Sequence, residues 1–139
     1  MFIGTFIVAF MWLLEILFCG DVMNNINFDE MDFFNRVKNQ PALFLGKPSL
    51  LSLRDYIFGM QHAFLACGYK NELKYFNLFT KWYLDNSTDK NGYYCWWNHI
   101  LYISGNDDEK AFYSFFDIFE QYLKQKHDIY LDERFIIVE

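Results

Sequence analysis

The chain has 139 residues, 53% of them apolar, with 17 Phe, 10 Tyr, 4 Trp and a net charge of −6, enough apolar material to build one domain without metal or disulfide support. The negative balance argues against nucleic acid, whose phosphates are bound by clustered Lys and Arg, and makes basic proteins the more natural partners. Cys19, Cys67 and Cys95 are far apart with no CxxC, so they read as thiols of a reducing cytosol, Cys67 and Cys95 as small core residues, and not as a zinc site or disulfide framework.

Residues 2–18, FIGTFIVAFMWLLEILF, are apolar apart from Thr5 and Glu15. Spanning a bilayer takes about 20 apolar residues, and a secretory signal begins with basic residues, whereas the first Lys or Arg here is Arg36. Three readings follow for residues 1–22: an upstream start with translation beginning at Met23, a membrane anchor, or a helix packed on the domain. Each leaves 23–139 as a single helical binding domain.

Asn27 with Glu30 has the form of a capping box, and Phe28, Met31, Phe33 or Phe34, and Val37 recur at helical spacing until Pro41. The segment PALFLGKP reads as an ordered turn whose Leu43, Phe44 and Leu45 tuck inward. Ser49 then caps a central helix with the stripe Leu53, Ile57, Met60, Phe64 and Cys67, ending at Gly68 as the C′ residue. Gly59 in its middle suggests a close helix crossing, since it costs about 1 kcal/mol relative to Ala. NELKYFNLFTKWYLDNS gives a further helix with Leu73, Phe76, Phe79 or Thr80, and Tyr83 on one face. After the polar turn STDKNG, the short, nearly all-apolar segment YYCWWNHILYISG fits a buried helix or a buried strand, which periodicity does not separate, and reads as helix. Asn106 with Glu109 forms a second capping pattern, opening the clearest helix, whose stripe is Phe112, Phe115, Phe116, Phe119, Tyr122 and Leu123. The tail HDIYLDERFIIVE has a β-like composition that suits a short strand or extended arm. The fold class expected is all-α, a compact bundle of about five helices between an apolar N-terminal segment and a short extended C-terminal tail.

Catalytic and cofactor signatures are sparse. His62, His99 and His127 have no partner at metal-ligand spacing, and the glycines form neither GxGxxG nor GxxxxGK, so no metal, cofactor or phosphate loop is expected. Cys95 and His99 stand four apart, a spacing that permits thiolate activation, but no orienting acid or oxyanion hole accompanies them in sequence. No catalytic role is assigned. The acids Asp107, Asp108, Glu109, Asp117 and Glu120 can present negative potential to a basic partner. Four large rings at 93–97 cannot all point inward on a short helix, which makes Tyr93 and Trp96 candidate anchors.

Two blocks resemble a small bacterial family. The first runs Pro41, Phe44, Leu45, Gly46, Ser49, Leu50, Leu53, Ile57, Phe58, Gly59 and Ala63. The second runs Trp97, Ile100, Leu101, Ser104, Asp107, Asp108, Glu109, Ala111, Phe112, Phe115 and Phe116. The Arg that commonly precedes the Pro is Gln40 here, and the apolar start is not part of the pattern. Some members resemble immunity proteins encoded beside contact-dependent or polymorphic toxins. The resemblance implies a cytosolic inhibitor that binds a toxin domain, often a nuclease, and the acidity of the chain suits a basic one. The sparse catalytic signatures give a non-enzymatic reading, and the apolar segment 2–18 gives the alternative, an inner-membrane-anchored accessory or immunity protein. Gly46, Ser49 and Gly59 read as structural positions of the motif.

Overall fold

The structure is a computed structural model that describes residues 28–69, 73–87 and 95–131. The readings of residues 1–22, of Tyr93 and of the tail beyond residue 131 lie outside the described residues. Within them the protein is all-α, with six helices and no strand: α1 (Glu30–Asn39), α2 (Pro41–Leu45), α3 (Leu50–Ala66), α4 (Lys74–Asn86), α5 (Trp96–Ile103) and α6 (Asp108–His127). Contacts group them into two units, one holding Phe28 and residues 59–69, the other residues 29–58 and 73–131.

The first unit is small. Phe64 packs edge-on against Phe28 at 5.2 Å between ring centroids and tilts onto Tyr69 at 5.0 Å, while the Phe28 N–H donates to Tyr69 Oη at 3.3 Å. Gly68 takes a left-handed φ of 67°, and Tyr69 N–H donates to the Phe64 carbonyl at 2.9 Å, the expected glycine-terminated helix end. Cys67 departs from expectation. It is disulfide-bonded and only half-buried. Cys95 is a free thiol exposed at the start of α5, so neither is a small core residue.

In the second unit, α6 supplies the floor of the core. Ala111, Phe112, Phe115, Phe116, Phe119, Tyr122 and Leu123 are all buried, because steps of three and four keep them on one side of a 3.6-residue turn. Phe34 of α1 enters this floor, with its ring 4.8 Å from Phe119 and 5.8 Å from Phe76 of α4. Phe79 and Tyr83 continue the contact along α4. The stripe of α4 falls on Phe76 and Phe79, preceded by buried Leu73, in the phase expected.

Caps differ from the sequence reading by two residues at α1 and by one at α6. Asp29, not Asn27, caps α1, its Oδ1 accepting from the Met31 and Asp32 amides at 2.9 and 3.1 Å. Asp107, not Asn106, caps α6 through the Lys110 amide at 3.0 Å. Asn106 is instead left-handed at φ 58°, after Gly105 at 71°, which lets the chain reverse between α5 and α6. α1 ends at Asn39 with Gln40 as its C-cap, just ahead of Pro41 as expected, and Pro41 in turn opens α2, where its fixed φ and missing N–H cost nothing. None of α2 is buried, and Leu43 is 70% exposed. Five residues make little more than one turn, too short to carry the expected inward-facing stripe.

Two helices receive their N-terminal caps from distant carboxylates. Glu30 of α1 accepts from the Phe76 amide at 2.7 Å and the Tyr75 amide at 3.1 Å, at the start of α4. Asp108 of α6 accepts from the Leu51 amide at 2.9 Å and from Ser49 Oγ, while Ser49 Oγ itself accepts from the Ser52 amide at 3.0 Å. Burial pushes the Glu30 carboxyl above its ordinary 4.5, against the opposing pull of the backbone donors of Phe76, Tyr75 and Lys74 and of the Lys74 charge. The folded state therefore holds this proton more tightly than the unfolded chain. Glu30's contribution to stability is present below pH 4.5 and declines as pH rises through the raised value. Denaturant unfolding across that window should show that Glu30→Gln removes this decline; an identical pH slope in both proteins would rule it out.

Candidate partner-binding face

The outer side of α6 gathers exposed side chains that the core does not use. Glu109, Tyr113, Asp117 and Gln121 are exposed at intervals of four and therefore line one face. Ser104 Oγ, at the C-cap of α5, donates to Ser114 Oγ at 3.3 Å, and Ile103 and Tyr113 are 51% and 48% exposed. Neither Glu109 nor Asp117 belongs to an ion pair found among the described residues, which are Arg36–Asp32, Lys38–Glu120 and Arg54–Asp55. The result is an exposed tyrosine between two carboxylates whose charge is not neutralised by a contacting cation.

Further along α6 the same face opens into a groove of about 300 Å³ lined by Asp117, Glu120, Gln121, Lys124, Ile129, Tyr130 and Leu131. Asp128 makes it by taking a left-handed φ of 54° as the C-cap, after which Ile129 N–H donates back to the Leu123 carbonyl at 3.2 Å. Lys124 Nζ lies 5.7 Å from the Tyr130 ring centroid, a cation already resting on the aromatic wall.

The residues expected to face a partner divide into distinct groups. Glu109 and Asp117 lie together on the exposed strip. Glu120 lies in the groove, half-buried and paired with Lys38. Asp107 is spent on the α6 cap and Asp108 on the cap of α3. Trp96 is not an exposed anchor: it is buried, with Phe76 and Phe115 each 5.3 Å from its ring. Since α5 begins at Trp96, the inward positions are Trp96, His99 and Ile100, one turn apart. Trp97 lies to the side, under the Arg54 guanidinium at 4.4 Å. Tyr113, Ile103 and Tyr130 were missed by the sequence reading. Tyr113 could have been found as the polar-tipped ring four residues from both Glu109 and Asp117, opposite the Phe stripe.

Catalytic geometry is not assembled at Cys95 and His99. The His99 ring is buried with its Nδ1 2.7 Å from Tyr83 Oη, while Cys95 is exposed. Desolvation raises the Tyr83 hydroxyl to about 12, so it stays protonated and can donate to the imidazole. Among the described residues no group of three His, Cys, Asp or Glu could hold a metal ion, and no helix is long and apolar enough to cross a membrane. Neither a family model, nor a curated protein, nor a solved structure matches this chain.

Proposed function

We propose that the protein is a non-enzymatic binding module that neutralises a basic toxin domain by covering it with the outer face of α6. The observation that supports this is the strip Glu109–Tyr113–Asp117, an amphipathic ring flanked by uncompensated carboxylates. Aromatic side chains with a polar tip anchor protein interfaces, and flanking charge of one sign accelerates encounter with a partner of the other. The resemblance of the two sequence blocks to immunity proteins supplies the partner class, a toxin domain such as a nuclease, and the net charge of −6 suits a basic one.

The test is a tagged purification from the native cells followed by mass spectrometry, run with the wild type and with Tyr113→Ala/Asp117→Lys. A stoichiometric basic protein recovered with the wild type should bind the double variant at least about tenfold more weakly, with far-UV circular dichroism unchanged. A partner captured equally by both proteins would move the interface off α6.

A second reading is favoured by the Cys67 disulfide. Such bonds persist in oxidising compartments and are rare in the cytosol, so the domain would act outside the cytosol, with residues 2–18 as anchor or export segment. Trapping thiols in intact cells decides between the two: a Cys67 found reduced in vivo restores the cytosolic reading, and a Cys67 found oxidised removes it.

A further inference from the structure

The groove at the end of α6 is lined by one continuous stretch of chain, residues 117–131, so its shape follows from a helix and the turn after it. Its volume of about 300 Å³ stands at the lower limit of ligand clefts, which run from roughly 300 to 1,000 Å³, and suits a single side chain. Asp117 and Glu120 line it from the helix, and the Tyr130 ring, 65% exposed, lines it from the turn. Glu120 engages Lys38 through Oε1, whereas Asp117 is exposed and makes no ion pair among the described residues.

Lys124 supplies the remaining charge from within the chain. With Asp117 and Glu120 negative and Lys38 positive, the groove is left one positive charge short, and the Lys124 ammonium is what offsets it. That ammonium is held loosely. It lies 5.7 Å from the Tyr130 ring centroid, near the limit of about 6 Å at which a cation is drawn to an aromatic face. It belongs to none of the described ion pairs, and its side chain is exposed. We propose that Lys124 is a placeholder, displaced when the groove receives a guanidinium, the side chain of an arginine of the partner, on the Tyr130 ring. This rests on the reading of the outer face of α6 as the partner surface and assigns the groove at its end. Arginine is selected over lysine because its planar head stacks on an aromatic face while offering two parallel N–H donors to a carboxylate, here Asp117. A lysine would only repeat the contact that Lys124 already makes. Exchanging one cation for another also keeps the charge of the groove balanced.

Titrating the full chain with N-acetyl-arginine amide, read through backbone amide chemical shifts, tests this without the partner. The amides of Asp117, Lys124, Tyr130 and Leu131 should shift and saturate in the millimolar range, as one exposed cation–aromatic contact and one exposed ion pair allow. N-acetyl-lysine amide should bind at least about threefold more weakly. Tyr130→Leu and Asp117→Asn should each weaken the arginine probe by about threefold or more. Lys124→Gln should tighten it by a similar factor, whereas Lys126→Gln, which removes the same charge two residues away, should change it by less than about twofold. These positions are all exposed, and the spectra themselves report that the helices are kept. Amides of the groove that do not move overturn the inference, as does equal binding of the lysine probe. An unchanged or weaker affinity in Lys124→Gln, or equal tightening by Lys126→Gln, overturns it too. A basic partner lost on Tyr113→Ala/Asp117→Lys while the arginine probe leaves the groove unmoved sinks the groove assignment alone. Arginine bound in the groove with no partner captured from cells supports the assignment and removes the toxin reading.

Discussion

Replacing Phe34 with alanine lowers the stability of the 29–58/73–131 unit by about 4 kcal/mol and its thermal midpoint by roughly 14 °C. Phe34 has no exposed surface. Its ring lies 4.8 Å from Phe119, 5.0 Å from Phe33, 5.8 Å from Phe76, 6.3 Å from Phe115 and 6.5 Å from Phe116. Truncation removes both the transfer free energy of the ring and these edge and face contacts, and rigid aromatic neighbours collapse poorly into the space left. Phe34→Leu, which keeps most of the volume, should lose no more than about 1.5 kcal/mol. Chemical denaturation of both variants checks the pair; a Phe34→Ala loss under about 2 kcal/mol would mean that the aromatic floor relaxes around the vacancy.

Asp108→Ala is the second large effect, a loss of about 3 kcal/mol or roughly 10 °C in midpoint. One carboxylate here holds the Leu51 amide and Ser49 Oγ at the start of α3 while lying in the first turn of α6. Its removal leaves a buried hydroxyl and an N-terminal amide of α3 without their charged acceptor. Asp107→Ala, which removes only a local cap, should cost about 1 kcal/mol. Equal losses at 107 and 108 would show that the link from α6 to α3 contributes nothing. A double-mutant cycle with Ser49→Ala isolates the coupling between the two side chains.

These two predictions mark what was legible in the sequence and what was not. The α6 stripe was readable because hydrophobic periodicity is a local signal, and Phe112 to Leu123 repeat it without interruption. The α4 phase was readable for the same reason. The caps were displaced, by two residues to Asp29 and by one to Asp107, because Asn27 lies two before Asp29 and Asn106 stands beside Asp107. Side-chain type alone does not rank such neighbours; the left-handed backbone at Asn106 does. Trp96 faces inward, against its reading as an anchor, because the inward phase of an eight-residue helix depends on where it starts. The bonds of Glu30 and Asp108 were beyond reach altogether. Their amide acceptances join residues 45, 46 and 57 positions apart, and no local pattern encodes a contact at that separation. At the candidate site, Glu109 and Asp117 followed from helix phase, whereas the groove beside Tyr130 depends on the turn at Asp128.

The caps given by Glu30 and Asp108 also bear on how the chain acquires its shape. Helix initiation is the costly step, and side-chain acceptors at the first turn reduce that cost. For α4 the acceptor described at that turn arrives only when α1 docks, since Leu73 at its N-cap position makes no side-chain bond. For α3 the local Ser49 is itself held by a residue of α6. Excised peptides spanning α3 or α4 should therefore fray at their first turns. Within the intact chain, secondary and tertiary structure form together, so that ordering α1 and α6 is what switches their neighbours into helices.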